Sequence, residues 1–162
     1  MLDDPTLALA ADVLQRYRAR TLTIATAESC TGGLVAASLT HHAGSSDVVL
    51  GGFVTYCNDL KHRSLAVPAE LLQRHGAVSA AVAQAMAEGA LSATRASCTV
   101  AVTGIAGPGG GSPDKPVGLV WFGIAFAGQA TTTHRRMFPG DRADVRAQAT
   151  AHALGLLLAR AS

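Results

Sequence analysis

The stretch Leu22-Thr23-Ile24-Ala25-Thr26-Ala27-Glu28-Ser29-Cys30-Thr31-Gly32-Gly33-Leu34-Val35-Ala36-Ala37-Ser38-Leu39 decides the fold class. Leu22–Thr26 reads as a short β-rich run, and Leu34–Leu39 reads as a helix. Between them, Glu28–Gly33 holds three potential nucleophiles and two glycines in a strand-to-helix turn. Such a turn gathers hydroxyls and backbone N–H groups at a sheet edge, beside the positive end of a helix. That arrangement suits a bound anion or a reacting carbonyl. It equally describes a capped helix, with Ser29 or Thr31 as the N-cap and the glycines forming a tight turn.

Working outward, Asp4-Pro5 reads as an N-cap and a helix-starting proline, followed by Leu7, Ala10, Leu14 and Tyr17 at helical spacing. After the central stretch, residues 41–46 read as a loop and Val48–Thr55 as a strand, with Gly51-Gly52 as a possible site of a bulge. Asn58–Ala66 is a short polar connection with a helical turn. Pro68 opens a short helix closed by Gly76, and Ser79 caps a longer one with Val82, Met86 and Ala90 on one face. Thr99–Val102 is a continuous apolar run, the pattern of a strand buried on both faces. Val117–Phe126 and Ala130–Phe138 form a β-hairpin around Gly128-Gln129. Asp141 opens the last helix, with Val145, Ala149, Ala153 and Leu156 as its stripe. Helices alternating with strands, then a late hairpin, predict a three-layer α/β/α sandwich with a mixed central sheet, one domain over residues 1–162.

Composition narrows the function. Hydrophobic residues make up 49% and charged residues 15% of the 162, which excludes a disordered chain. No apolar run is long enough to span a bilayer, and Met1-Leu2-Asp3-Asp4-Pro5 lacks a basic region followed by an apolar stretch. A soluble cytoplasmic protein without a membrane partner is expected. The formal charge of +2, with no dense basic stretch interleaved with aromatics, argues against nucleic acid. Cys30, Cys57 and Cys98 are odd in number and contain no CxxC pair, which argues against a disulfide framework or zinc site. Of 13 basic residues only Lys61 and Lys115 are lysines. In a chain that meets its need for positive charge with arginine, each lysine is a candidate for a place where arginine would fail, because only lysine can lose its proton at accessible pH; codon bias is the competing reading.

Three loops follow the carboxyl ends of the predicted strands, at residues 28–33, 56–61 and 103–111, and ligands collect outside such strand ends in open α/β sheets. In the first, Ser29 is a candidate nucleophile with N–H groups around Thr31-Gly32-Gly33 for an oxyanion. Cys30 is intrinsically more nucleophilic, but no histidine stands near it to activate the thiol. In the second, Tyr56 and Lys61 are placed to manage a serine proton, provided that burial or a neighbouring cation keeps Lys61 neutral. The competing reading is a solvated lysine. In the third, either Thr103 and the backbone of Gly104 and Ile105 offer ligand contacts or the segment is a flexible glycine loop; the Walker A spacing is absent and Lys115 precedes Pro116. Arg142 and Arg146, one turn apart, either hold a phosphate or pair with Asp141 or Asp144. The remaining histidines show no metal-binding spacing.

Taken in order, these segments resemble the CinA C-terminal domain family. The resemblance rests on Ala27–Gly33, Ala43–Ser46, Val54-Thr55-Tyr56 with Asn58 and Lys61, Gly76–Ser79 and Val102–Pro108, then Gly110–Ser112, Lys115–Gly118 and Pro139–Arg142. The resemblance implies hydrolysis of the carboxamide of nicotinamide mononucleotide to nicotinic acid mononucleotide and ammonia, a step of pyridine nucleotide salvage. It further implies a serine mechanism with no metal or cofactor, in a homodimer or larger homo-oligomer. By position it makes Ser29 the nucleophile, Lys61 the proton acceptor and Tyr56 an assisting hydroxyl. Cys30, Thr31, Gly32 and Gly33 would line the site with Thr103, Gly104 and Ile105, and Arg142 would meet the substrate phosphate. The family commonly has Ser at the position of Cys57 and Gly at that of Ala66. Its larger member carries a separate N-terminal domain whose activities the resemblance does not transfer. A catalytically silent nucleotide-binding module acting through partners, and a thiol enzyme using Cys30, remain as alternative readings.

Overall fold

A computed structural model describes residues 3–161; Met1, Leu2 and Ser162, on which the reading of the chain ends partly rests, lie outside the described residues. The chain runs α1 (Asp4–Ala19), β1 (Ile24–Glu28), α2 (Leu34–Thr40), a 3₁₀ turn (Ser45–Asp47), β2 (Val49–Val54), α3 (Asn58–Leu65), α4 (Ala69–His75) and α5 (Ala80–Thr94). It continues with β3 (Cys98–Gly104), β4 (Leu119–Phe126), β5 (Thr132–Met137) and α6 (Arg142–Arg160). The strands form one mixed sheet in the order β2-β1-β3-β4-β5. Strands β2, β1 and β3 are parallel, while β4 runs antiparallel to both β3 and β5.

Helices cover both faces, giving the three-layer α/β/α architecture. The two-residue period of β3 shows how. Cys98, Val100 and Val102 point into the core shared with α1, α2 and α6, whereas Ala101 points into the core shared with α3 and α5. The second face is built from small residues. Thr99 on this face donates from its hydroxyl to the Ala87 carbonyl at 2.7 Å. A side chain at Gly123 would stand 2.3 Å from the Ala83 carbonyl, and one at Gly89 only 1.9 Å from the Leu65 carbonyl. The close approach of α5 to the sheet and to α3 therefore requires glycine at both places. An alanine-rich layer of this kind fills its volume without large rings, which agrees with an aromatic content of 4%.

Several boundaries differ from the sequence reading for local reasons. The N-cap of α1 is Asp3, whose carboxylate accepts from the Thr6 N–H at 2.9 Å, and Asp4 is the first helical residue. Strand β1 sits two residues later than expected because pairing on both sides carries it to Glu28, opposite Val54 and Val102. The register shift in β2 skips Leu50 between Val49 and Gly51, at the edge of the expected glycine pair. Asn58–Leu65 is a full helix, ended by Ala66 at φ +53°, a backbone region that favours glycine. In α6 the buried stripe runs through Val145, Ala149, Ala153 and Leu157, with Leu156 only partly buried.

Topology sets where chemistry can gather. The carboxyl ends of β1, β2 and β3 lie along one sheet edge because these strands are parallel. Strand β5, antiparallel to the strand that is itself antiparallel to β3, ends at that edge too and delivers the start of α6 there. Among the described residues, no helix is long and apolar enough to cross a membrane.

Candidate active site

The turn after β1 is anchored by the last residue of that strand. Glu28 is fully buried, and its Oε2 accepts from the Thr31 hydroxyl at 2.7 Å, the Gly33 N–H at 3.0 Å and the Val35 N–H at 3.1 Å. Its Oε1 accepts from the Ala36 N–H at 2.9 Å. The carboxylate thus caps α2, whose N-cap residue Gly33 has no side chain to do so. Buried negative charge beside a helix N-terminus is favourably placed. Ser29 follows directly, and its own N–H donates to the Val102 carbonyl at 2.9 Å, so the serine is tied to the end of β3.

Lys61 enters from α3. Its side chain is buried, and Nζ donates to the Ser29 Oγ at 3.0 Å and to the Thr55 carbonyl at 2.8 Å. No carboxylate pairs with it among the described residues. Burial of an unpaired ammonium penalises the charged form and lowers the Lys61 pKa from its ordinary value of 10.5. The Asn58–Leu65 helix explains the placement. Three residues separate Lys61 from Asn58, so one turn of α3 carries its amine back towards the β2 carboxyl end, and the Leu65 side chain anchors the helix beneath α5.

The third loop closes on the first. A side chain at Gly104 would stand 3.1 Å from the Cys30 sulfur and 2.9 Å from the Leu119 carbonyl, so only glycine lets the end of β3 meet the nucleophile turn. Thr103 is buried, and its hydroxyl donates to the Ala77 carbonyl at 2.8 Å, which gives it a bracing role between β3 and the α5 approach. The Ile105 N–H and carbonyl pair with Leu119 and Gly118. Cys30 is buried, and burial pushes its thiol up to about 12, leaving it protonated at neutral pH.

The start of α6 completes the arrangement. The Arg142 guanidinium donates to the Gly107 carbonyl and to the Tyr56 hydroxyl, both at 2.8 Å. Tyr56 is exposed, and its hydroxyl makes no hydrogen bond with Ser29 or Lys61. Asp141 and Asp144 form a capping box with each other's backbone rather than pairing with the arginines. Arg142 and Arg146 line a cavity of about 510 Å³ together with Ala106, Pro108 and Val117.

Two features escaped the sequence reading. Glu28 lies in the quoted motif, but its role as the cap of α2 depends on the chain folding back so that the Gly33, Val35 and Ala36 N–H groups meet its carboxylate. Arg146 was visible only as a partner of Arg142; its contacts to the first loop had no local signal. Among the described residues, no group of three or more His, Cys, Asp or Glu side chains is placed to hold a metal ion.

Residues 6–161 match the CinA C-terminal domain. The chain belongs to this family. Its sequence is 51% identical to the nicotinamide-nucleotide amidohydrolase PncC of Escherichia coli strain K12 over 157 residues, covering 97% of this chain and 95% of that protein. It is 56% identical over 134 residues to a CinA-like protein of Mycolicibacterium vanbaalenii, and that match covers 83% of this chain but 32% of the relative. The chain thus spans about a third of the length of such longer CinA-like relatives. The CinA fold is equally plain in three dimensions. The crystal structure of the competence/damage inducible protein CihA from Agrobacterium tumefaciens aligns with a TM-score of 0.95 at 45% identity, covering 98% of this chain and 97% of that one. A CinA superfamily protein from Escherichia coli aligns with a TM-score of 0.91 at 38% identity.

Proposed function

We propose that this chain hydrolyses the carboxamide of nicotinamide mononucleotide, releasing ammonia and nicotinic acid mononucleotide, with Ser29 as nucleophile and Lys61 as base. The observation that carries the reading is the 3.0 Å contact between Ser29 Oγ and the buried Lys61 amine. The near full-length similarity to a nicotinamide-nucleotide amidohydrolase supports the substrate.

Neutral Lys61 takes the Ser29 proton as Oγ attacks the amide carbon. Four donors around the α2 terminus are already spent on Glu28, and the Gly32 N–H closes on the Ser29 carbonyl at 3.0 Å. Among the described residues the N–H groups of Cys30 and Thr31 have no backbone acceptor and face only the Cys30 thiol, a weak acceptor that a developing oxyanion would displace. As the tetrahedral intermediate collapses the C–N bond breaks, and protonated Lys61 donates to the leaving nitrogen, so that ammonia departs. Water, deprotonated by the regenerated amine, then attacks the acyl-enzyme ester, and Ser29 recovers its proton as the carboxylate leaves. The Thr55 carbonyl holds the amine in place in both protonation states.

Arg142 is the proposed contact for the substrate phosphate. It has no carboxylate partner among the described residues, and the cavity beside it has an apolar wall at Ala106, Pro108 and Val117. Tyr56, whose hydroxyl accepts from Arg142 at 2.8 Å, stands beside this proposed phosphate contact. Exposed Leu50, Val54, Tyr56 and Leu60 supply apolar surface on and after edge strand β2, which supports a homo-oligomer. Three free cysteines favour the reducing cytoplasm as its compartment.

An ammonia-release assay on nicotinamide mononucleotide tests the reading. Wild-type protein is expected to turn over, and Ser29→Ala to lose about 10²-fold or more while keeping its fold. Normal ammonia release by Ser29→Ala would sink the serine mechanism. Mononucleotide binding without ammonia release by wild type would favour a silent binding module.

A further inference from the structure

Arg146 lines the same cavity as Arg142, yet its contacts are of another kind. Its Nε donates to the Cys30 carbonyl at 3.1 Å and its Nη2 to the Thr31 carbonyl at 3.0 Å. It pairs with no carboxylate among the described residues. A guanidinium gripping two consecutive main-chain carbonyls of a nucleophile turn is placed to control the backbone rather than to wait for a ligand.

The peptide bond explains what that control achieves. A trans peptide is planar, so a carbonyl and the N–H of the next residue point in opposite directions. Holding the Cys30 carbonyl on α6 turns the Thr31 N–H away from α6. Holding the Thr31 carbonyl does the same to the Gly32 N–H, which closes on the Ser29 carbonyl. From the other side, Glu28 takes the Thr31 hydroxyl and the N–H groups of Gly33, Val35 and Ala36. Arg146 and Glu28 thus hold the turn from outside, the Gly32 and Leu34 N–H groups close on the Ser29 and Thr31 carbonyls within it, and among the described residues the Thr31 N–H has no backbone acceptor and faces only the Cys30 thiol. Gly32 fits this account: it has φ +61°, and a side chain there would stand 3.3 Å from Arg146 Nη2.

We infer that Arg146 is a positioning residue for amide hydrolysis: its grip on the Cys30 and Thr31 carbonyls sets the direction of the Thr31 N–H that receives the oxyanion. The inference rests on the amidase reading above. It separates the two arginines of α6, giving Arg142 to the substrate and Arg146 to the enzyme's own backbone.

The test compares wild type, Arg146→Ala and Arg146→Lys in ammonia release, alongside backbone amide NMR of the ligand-free proteins. Loss of one oxyanion donor costs ~10²–10³ in kcat. Arg146→Ala is expected to lose kcat on that order with KM moving less than about threefold. Arg146→Lys should fall nearly as far, because an ammonium cannot span two carbonyls as a planar fork does. Added guanidinium ion should restore part of the kcat of Arg146→Ala. In the NMR arm, Arg146→Lys should shift the Thr31 amide and change its exchange rate, while the Ser29 amide, bonded to β3, stays in place. A rise in KM at constant kcat would make Arg146 a substrate contact and overturn the inference, as would an unmoved Thr31 amide. If Arg146→Ala does not fold, the lysine variant carries both arms. Wild type silent towards the mononucleotide would fell the amidase reading, and the Thr31 amide would still report whether Arg146 holds the turn.

Discussion

Lys61 Nζ lies 3.0 Å from Ser29 Oγ, and the lysine is buried with no carboxylate among the described residues to balance it. A charged amine in that position costs stability, so its retention needs a reason in chemistry. Lys61→Met and Lys61→Arg should each lose ~10²–10⁴ in kcat, the worth of a positioned proton relay. Lys61→Met should melt no lower than wild type at neutral pH, since an apolar chain of similar length replaces the amine. Scanning calorimetry and ammonia release on the same samples check both halves, and retained turnover in Lys61→Met would remove Lys61 from the reaction.

The pH dependence has a fixed sign. Burial lowers the folded-state Lys61 pKa below 10.5, and the base must be neutral to act. kcat/KM should therefore rise with pH along a limb centred below the ordinary lysine range. For stability, the unfolded chain binds more protons than the folded one between the lowered folded pKa and the unfolded value. This contribution raises stability as pH climbs through that window, and its penalty is complete below the folded pKa. Denaturation midpoints of wild type relative to Lys61→Met, taken across pH, should converge as pH rises. Divergence would contradict the assignment.

The two accessible fates of cysteine are separated by burial. Cys30 is covered and its thiol is pushed up to about 12, whereas Cys57 is exposed at the start of α3. Near pH 8 an alkylating reagent should label Cys57 first and reach Cys30 only on unfolding, as peptide mass mapping would show. Cys30→Ser should keep turnover of the wild-type order, while Ser29→Ala loses it. The reverse pattern would hand the reaction to the thiol.

Glu28 offers a stability test of the turn itself. Glu28→Gln keeps the shape but sets an amide N–H₂ against backbone donors where a carboxylate oxygen now accepts. An unmet buried group costs about 1–3 kcal/mol. Urea melts should show a loss of that size, with kcat falling alongside it because the same carboxylate holds the Thr31 side chain. A melt equal to wild type would show that α2 does not depend on this cap.

How far the sequence could be read depended on the range of each interaction. The continuous apolar run of β3, the Ser79 cap of α5 and the hairpin around Gly128 are short-range patterns, and they emerged with boundaries shifted by only a few residues. Asn58–Leu65 read as little more than a turn, because only Leu60 and Leu65 are apolar there and one of them is exposed. Its helical form comes with docking Leu65 beneath α5, which outweighs the cost of burying Lys61. The Asp3 cap was missed by one residue because two adjacent aspartates offer the same chemistry.

By itself the sequence determined the α/β class, the three loops at strand ends and the ordered motifs of the CinA C-terminal domain. Tertiary structure alone decided which residues of those loops meet. The Lys61–Ser29 contact spans 32 residues and the Arg146–Cys30 contact spans 116. No local periodicity encodes such separations. They follow from strand order and direction: parallel β2, β1 and β3 bring Ser29 and Lys61 to one edge, and the reversed hairpin returns α6 to that edge with Arg142 and Arg146.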